Sequence, residues 1–192
     1  MQEGNEWVHE KTISEHEGYA MNIYFTGSHG TGKTTTARLL SSKLNYSIVP
    51  SVSRHSPYTP NTIEHQGYVM EKVVYRAMMH TYTVQERTPV DVFAYTKLMG
   101  MKKLYGHQQM CVDRFLRNIN HAGDPIFYFP IYFELEKDGV RPDEHAQEYI
   151  DKEIVFELER ARVNYHVIPD ASPEKRVDFI LERINKNAQV WI

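Results

Sequence analysis

At 192 residues the chain can bury about 70% of its unfolded surface, enough for an ordinary core. A formal net charge of −3 gives no strong field for nucleic acid or a membrane surface, and a single cysteine, Cys111, excludes an intrachain disulfide or a thiolate metal cluster. No apolar run approaches the ~20 residues of a spanning helix and no signal peptide is visible, so the expected setting is the cytoplasm. In chain order, residues 1–20 are polar, charged and weakly periodic, and read as a disordered N-terminal extension; residues 21–192 read as one domain. The apolar run Ile23-Tyr-Phe-Thr predicts a first strand, and residues 36–44 a helix. Residues 46–50 predict a second strand, 64–79 a helix, 80–85 a β-rich third strand, and 90–104 a helix with Pro89 in its first turn. Residues 107–120 read as helix or loop, 125–131 as a buried strand, 134–142 as a charged loop and 144–163 as a helix. A strand at 165–168 and a helix opened by Ser172-Pro173-Glu174 complete the chain. Strands alternating with helices at this spacing imply an α/β fold: a parallel sheet of about five strands covered on both faces, with ligands at the strands' carboxyl ends.

The segment between the first strand and the first helix carries the chemistry. It reads Gly27-Ser28-His29-Gly30-Thr31-Gly32-Lys33-Thr34-Thr35, the G-x-x-x-x-G-K-T pattern of a phosphate-binding loop in its required strand–loop–helix context. Glycine permits positive φ and close approach of the backbone, and successive N–H groups at a helix N-terminus converge on phosphate oxygens. Lys33 is expected to reach the β- and γ-phosphates of a nucleoside triphosphate, and the Thr34 hydroxyl to ligand Mg²⁺.

A second cluster, Glu86-Arg87-Thr88-Pro89-Val90-Asp91, follows the third predicted strand and therefore falls on the same rim. Glu86 or Asp91 there can hold Mg²⁺ directly or through water, or accept a proton from an attacking hydroxyl. Arg87 can clamp a phosphate bidentately. The bland alternative is a solvated helix start with acids favouring the dipole. The ten histidines show no pairing with carboxylates at metal-ligand spacing, so no zinc site is expected.

Taken together, Gly27-Ser-His-Gly-Thr-Gly-Lys-Thr34, Glu86-Arg-Thr-Pro-Val-Asp-Val-Phe-Ala-Tyr95, and Phe127-Tyr-Phe-Pro-Ile131 with Asp138-Gly-Val-Arg141 resemble the NadR-type and nucleoside/nucleotide-kinase-like P-loop proteins, a group common in bacteriophages. The resemblance spans residues 21–185. It implies the P-loop NTPase fold, ATP with Mg²⁺ as donor, and a small closing lid near residues 134–145. Arg141 falls where small kinases carry that lid, and would neutralise charge on the transferring phosphoryl group, a role worth about 10³–10⁵ in rate. Related kinases often carry a Glu-x-x-Arg pattern after the second strand. Here Ser51-Val52-Ser53-Arg54 keeps the arginine and loses the acid, which leaves Arg54 and His55 as acceptor-side candidates.

The expected activity is therefore transfer of the ATP γ-phosphoryl group to a hydroxyl or phosphate of a nucleoside-like acceptor. That acceptor is a nucleoside, a nucleotide, or a modified pyrimidine such as 5-hydroxymethyluracil in phage DNA; a phage-encoded protein would work in the host cytoplasm. A small ATPase switching a protein partner is the alternative, and it needs no acceptor. A kinase acting on polynucleotide ends would call for a clearer basic channel.

Overall fold

The computed structural model describes residues 21–133 and 143–188. Strands β1 (Ile23–Thr26), β2 (Ser47–Val49), β3 (Thr83–Gln85), β4 (Ile126–Tyr128) and β5 (Tyr165–Val167) form one sheet in the order β2-β3-β1-β4-β5. All four pairings are parallel, with Tyr24 opposite Gln85 on one side of β1 and Ile126 on the other. The central strands β1, β3 and β4 are buried along their whole length, as strands covered on both faces must be.

Period-two alternation divides the core. Ile23, Phe25, Val84 and Phe127 point to the face covered by α1 (Lys33–Leu44) and α6 (Pro173–Ala188), where they meet Ala37, Leu40, Val177 and Ile180. Tyr24, Ile126 and Tyr128 point to the other face, covered by α2 (Ile63–Met79), α3 (Pro89–Leu98), α4 (Lys102–Ala122) and α5 (Glu144–Arg160). The fold class and sheet expected from the sequence are those observed.

Local boundaries differ in one instructive place. The helix expected over 90–104 stops at Leu98, and a separate helix begins at Lys102. Gly100 adopts φ +65°, while Gly100 N bonds Lys97 O at 2.9 Å and Met101 N bonds Thr96 O at 3.2 Å. That pair of bonds is the Schellman stop, and glycine is the residue that takes its left-handed position without strain. The region left open as helix or loop at 107–120 is the middle of the 21-residue α4, which ends at Gly123 with φ +73°. Residues 1–20 and most of the expected lid lie outside the described residues.

Candidate nucleotide-binding site

The loop between β1 and α1 is shaped by its surroundings as much as by any ligand. Gly27 has φ +144°, and a Cβ there would sit 2.5 Å from the Phe129 carbonyl oxygen. The close approach follows from Phe129 N donating to Thr26 O at 2.9 Å, which extends the β1–β4 pairing to the loop's first residue. Gly32 has φ +87° and caps α1 without a side-chain hydrogen bond, so the helix's first-turn N–H groups are left for an anion. Lys33 Nζ lies inside the loop and donates to Gly27 O at 2.7 Å, to Ser28 O, and to Thr31 Oγ1 at 3.0 Å. Burial lowers its pKa to about 8; the charges of Asp91, Glu86 and Asp151 oppose that fall, and Arg87 adds to it.

The rim after β3 closes on this loop. Thr34 Oγ1 donates to Glu86 Oε2 at 3.1 Å, so the two oxygens expected to hold Mg²⁺ meet across 52 residues of sequence. A hydroxyl beside a carboxylate is a hard-oxygen donor set of the kind Mg²⁺ takes alongside nucleotide phosphates. Arg87 stacks its guanidinium 5.0 Å from the centre of the Tyr95 ring, and the Tyr95 hydroxyl is hydrogen-bonded to His29 Nδ1 at 2.9 Å. These contacts hold Arg87 against a ring whose hydroxyl meets the loop.

Asp91 reaches the loop in a different way. It is 1% exposed, and its oxygens accept four hydrogen bonds: Thr26 Oγ1 at 3.1 Å, Gly27 N at 3.0 Å, Thr88 N at 2.8 Å and Thr88 Oγ1 at 2.7 Å. As the third residue of α3 it bonds back to its own helix start, and in the same act pins the first peptide of the phosphate loop.

Of the remaining expected residues, Ser28, His29, Gly30, Thr31 and Thr35 lie on the loop or the first turn of α1. His55 is exposed in the single 3₁₀ turn Ser53–His55 that follows β2, and among the described residues no hydrogen bond joins it to the loop. The Arg54 side chain and all of Arg141 lie outside the described residues.

Three residues at the site were not anticipated. Gln147 Nε2 donates to His29 O at 2.7 Å from the first turns of α5. One turn on, Asp151 accepts from Tyr128 Oη at 2.6 Å; burial raises its pKa, against the pull of Tyr128 and Lys33. The third is Arg176, 2% exposed on α6, whose Nη1 donates to Thr31 O at 3.0 Å. Gln147 and Asp151 are four apart on the helix face that also carries Ile150 and Ile154, and Arg176 falls on the buried stripe with Val177 and Ile180. A polar residue on an apolar stripe was the signal available for them.

A family described as an AAA domain matches residues 22–176. The chain belongs to this AAA-domain family. No curated protein matches the chain. Among solved structures, deoxyadenosine kinase from M. mycoides with the products dCMP and a flexible dCDP is similar at a TM-score of 0.63 and 16% identity, over 86% of this chain and 99% of that one. A NadR protein in complex with NR gives a TM-score of 0.67 at 15% identity, over 89% of this chain but 52% of that one. Shikimate kinase from Aquifex aeolicus gives 0.56 at 18% identity, over 88% and 99%. At such identities the likeness speaks for the fold, and the fold these proteins share with the AAA-domain chain is that of P-loop kinases.

Proposed function

We propose that this AAA-domain protein is an ATP-dependent phosphotransferase acting on a nucleoside-like acceptor. The observation that carries the reading is the meeting of Lys33, Thr34, Glu86 and Arg87 at the carboxyl edge of β1 and β3, over a helix N-terminus without a side-chain cap. Lys33 exchanges its loop carbonyl partners for the β- and γ-phosphate oxygens. The protonated amine is the form that binds, and its charge then has an anionic partner. The backbone N–H groups of residues 30–35 bind the phosphate chain, and Thr34 with Glu86 would hold Mg²⁺. When bound, that cation supplies charge neutralisation at the β- and γ-oxygens.

Arg87, steadied by Tyr95, is assigned to balance charge on the phosphoryl group in flight. Asp91 has both oxygens engaged by four donors, so we assign it to positioning Gly27 rather than to proton acceptance. Phosphoryl transfer through a loose transition state asks little of a base and much of placement. Arg141 is proposed as the lid arginine, and Arg54 with His55 as acceptor contacts, on their positions in the sequence. The nucleoside class is favoured by what the fold's neighbours hold: dCMP and a flexible dCDP on deoxyadenosine kinase, and NR on NadR.

The test is transfer of label from γ-labelled ATP with Mg²⁺ to free nucleosides, nucleoside monophosphates, and duplex DNA with or without 5-hydroxymethyluracil. Label on one acceptor class is the expected result and names the substrate. Label in inorganic phosphate alone, with every acceptor silent, overturns the reading in favour of an ATP-driven switch.

A further inference from the structure

Arg176 is a buried cation left largely unpaired among the described residues. It sits on the second turn of α6, and one hydrogen bond, from Nη1 to Thr31 O, satisfies it; Nε and Nη2 have no partner among the described residues. No carboxylate among the described residues lies within ion-pairing distance. The charge of the exposed Asp170 acts on it, and burial weakens its hold on the proton. Two aromatic rings box the guanidinium, Phe133 at 5.1 Å and Tyr132 at 5.7 Å from ring centre to Cζ, and Tyr132 is itself fixed by its hydroxyl donating to Ile168 O at 3.0 Å.

The loop is built around this group: a Cβ on Gly32 would lie 2.8 Å from Arg176 Nη1. A guanidinium stays charged at any working pH, and leaving its buried donors unmade is costly. Aromatic faces and one carbonyl offset part of that cost. An apolar side chain of similar length would serve α6 packing better, so the charge needs another compensation. A polyphosphate held by the loop would supply one.

We propose that Arg176 is a second cation of the phosphate site: acting through the Thr31 carbonyl, it holds the loop from behind and sets the affinity for the nucleotide's phosphate chain. It is a positioning residue, and the proposal rests on the nucleotide-binding reading above. Titration calorimetry with ATP and with inorganic tripolyphosphate, on the full chain and on Arg176→Met and Arg176→Lys, tests it together with the melting temperature of each protein without ligand. The expected result is affinity for both ligands weakened at least about tenfold in Arg176→Met, an unliganded melting temperature no lower than wild type, and most of the affinity restored in Arg176→Lys. Unchanged affinity in Arg176→Met overturns the proposal. So does a fall in unliganded stability, or failure to fold, which would make Arg176 an architectural cation; so does an Arg176→Lys protein as weak as Arg176→Met. Failure of the wild-type protein to bind ATP would count against the nucleotide reading itself, a result distinct from any of these.

Discussion

Lys97 and Arg176 are both cations held against aromatic rings inside the protein, and they differ in how their charge is met. Lys97 Nζ lies 4.5 Å from the centre of the Phe93 ring and donates to Glu153 Oε2 and Glu157 Oε1, each at 2.8 Å. Glu157, 1% exposed, also accepts from Gln109 Nε2 at 3.0 Å and Arg160 Nε at 2.9 Å. This network joins α3, α4 and α5 on the face away from α6, and every charge in it has a partner. Among the described residues, Arg176 has one carbonyl and two rings. A fully paired buried ion is explained by architecture, whereas a buried ion short of partners among the described residues calls for a further account, which the proposal for Arg176 supplies.

The largest effect expected from breaking this contrast is on stability. Lys97→Met strips one partner from Glu157, leaves Arg160 and Gln109, and should destabilise the protein by about 2–4 kcal/mol in chemical denaturation. The stabilisation conferred by ATP should stay as in wild type, because the network does not touch the loop. Burial works against the Glu157 charge, but hydrogen bonds from Lys97, Gln109 and Arg160 prevail and hold its carboxyl below the usual range. Its contribution is therefore present above the ordinary glutamate pKa and lost as pH falls through the lower folded value.

Asp91 sharpens the comparison from the anionic side, since it is paired and also part of the loop. Asp91→Asn keeps the shape but turns an amide toward donors, and should cost about 1–3 kcal/mol in denaturation. Because Gly27 N loses its anchor, ATP affinity should fall as well, so both readouts move together. A change in only one would separate the helix cap from the loop.

Lys33 gives the pH test. Its amine is protonated below about 8 and neutral above it, so ATP affinity should fall as pH rises through about 8, and calorimetry in buffers of different ionisation enthalpy should show proton uptake on binding near that pH. The smallest effect belongs to Asp124, whose Oδ1 accepts from Asn22 N at 3.0 Å, and whose pKa burial raises to about 6. A raised acid contributes stability that is lost as pH rises through its folded value. Asp124→Asn should remove that loss and lift the melting temperature at pH 7 by about 2–4 °C.

What was legible in the sequence was what is local. The phosphate loop is a contiguous pattern whose strand, turn and helix lie side by side in the chain, and the meeting of Thr34 with Glu86 followed from the rule that strand ends share one rim. The reason for Gly27 was only half legible: phosphate access is readable from the motif, but the Phe129 carbonyl that forbids a side chain is 102 residues away. Gly100 carries a stop signal in the sequence, but the apolar residues on either side of it keep a helical period. Arg176, Gln147 and Asp151 meet the loop across 118 or more residues or through a helix face, and no local spacing announces such contacts.

The central claim is that the loop around Lys33 drives phosphoryl transfer. The direct measurement is transfer from γ-labelled ATP by wild type and Lys33→Ala, with circular dichroism confirming that both are folded. The account expects label on the acceptor with wild type and none with Lys33→Ala. Equal transfer by the two proteins would contradict it.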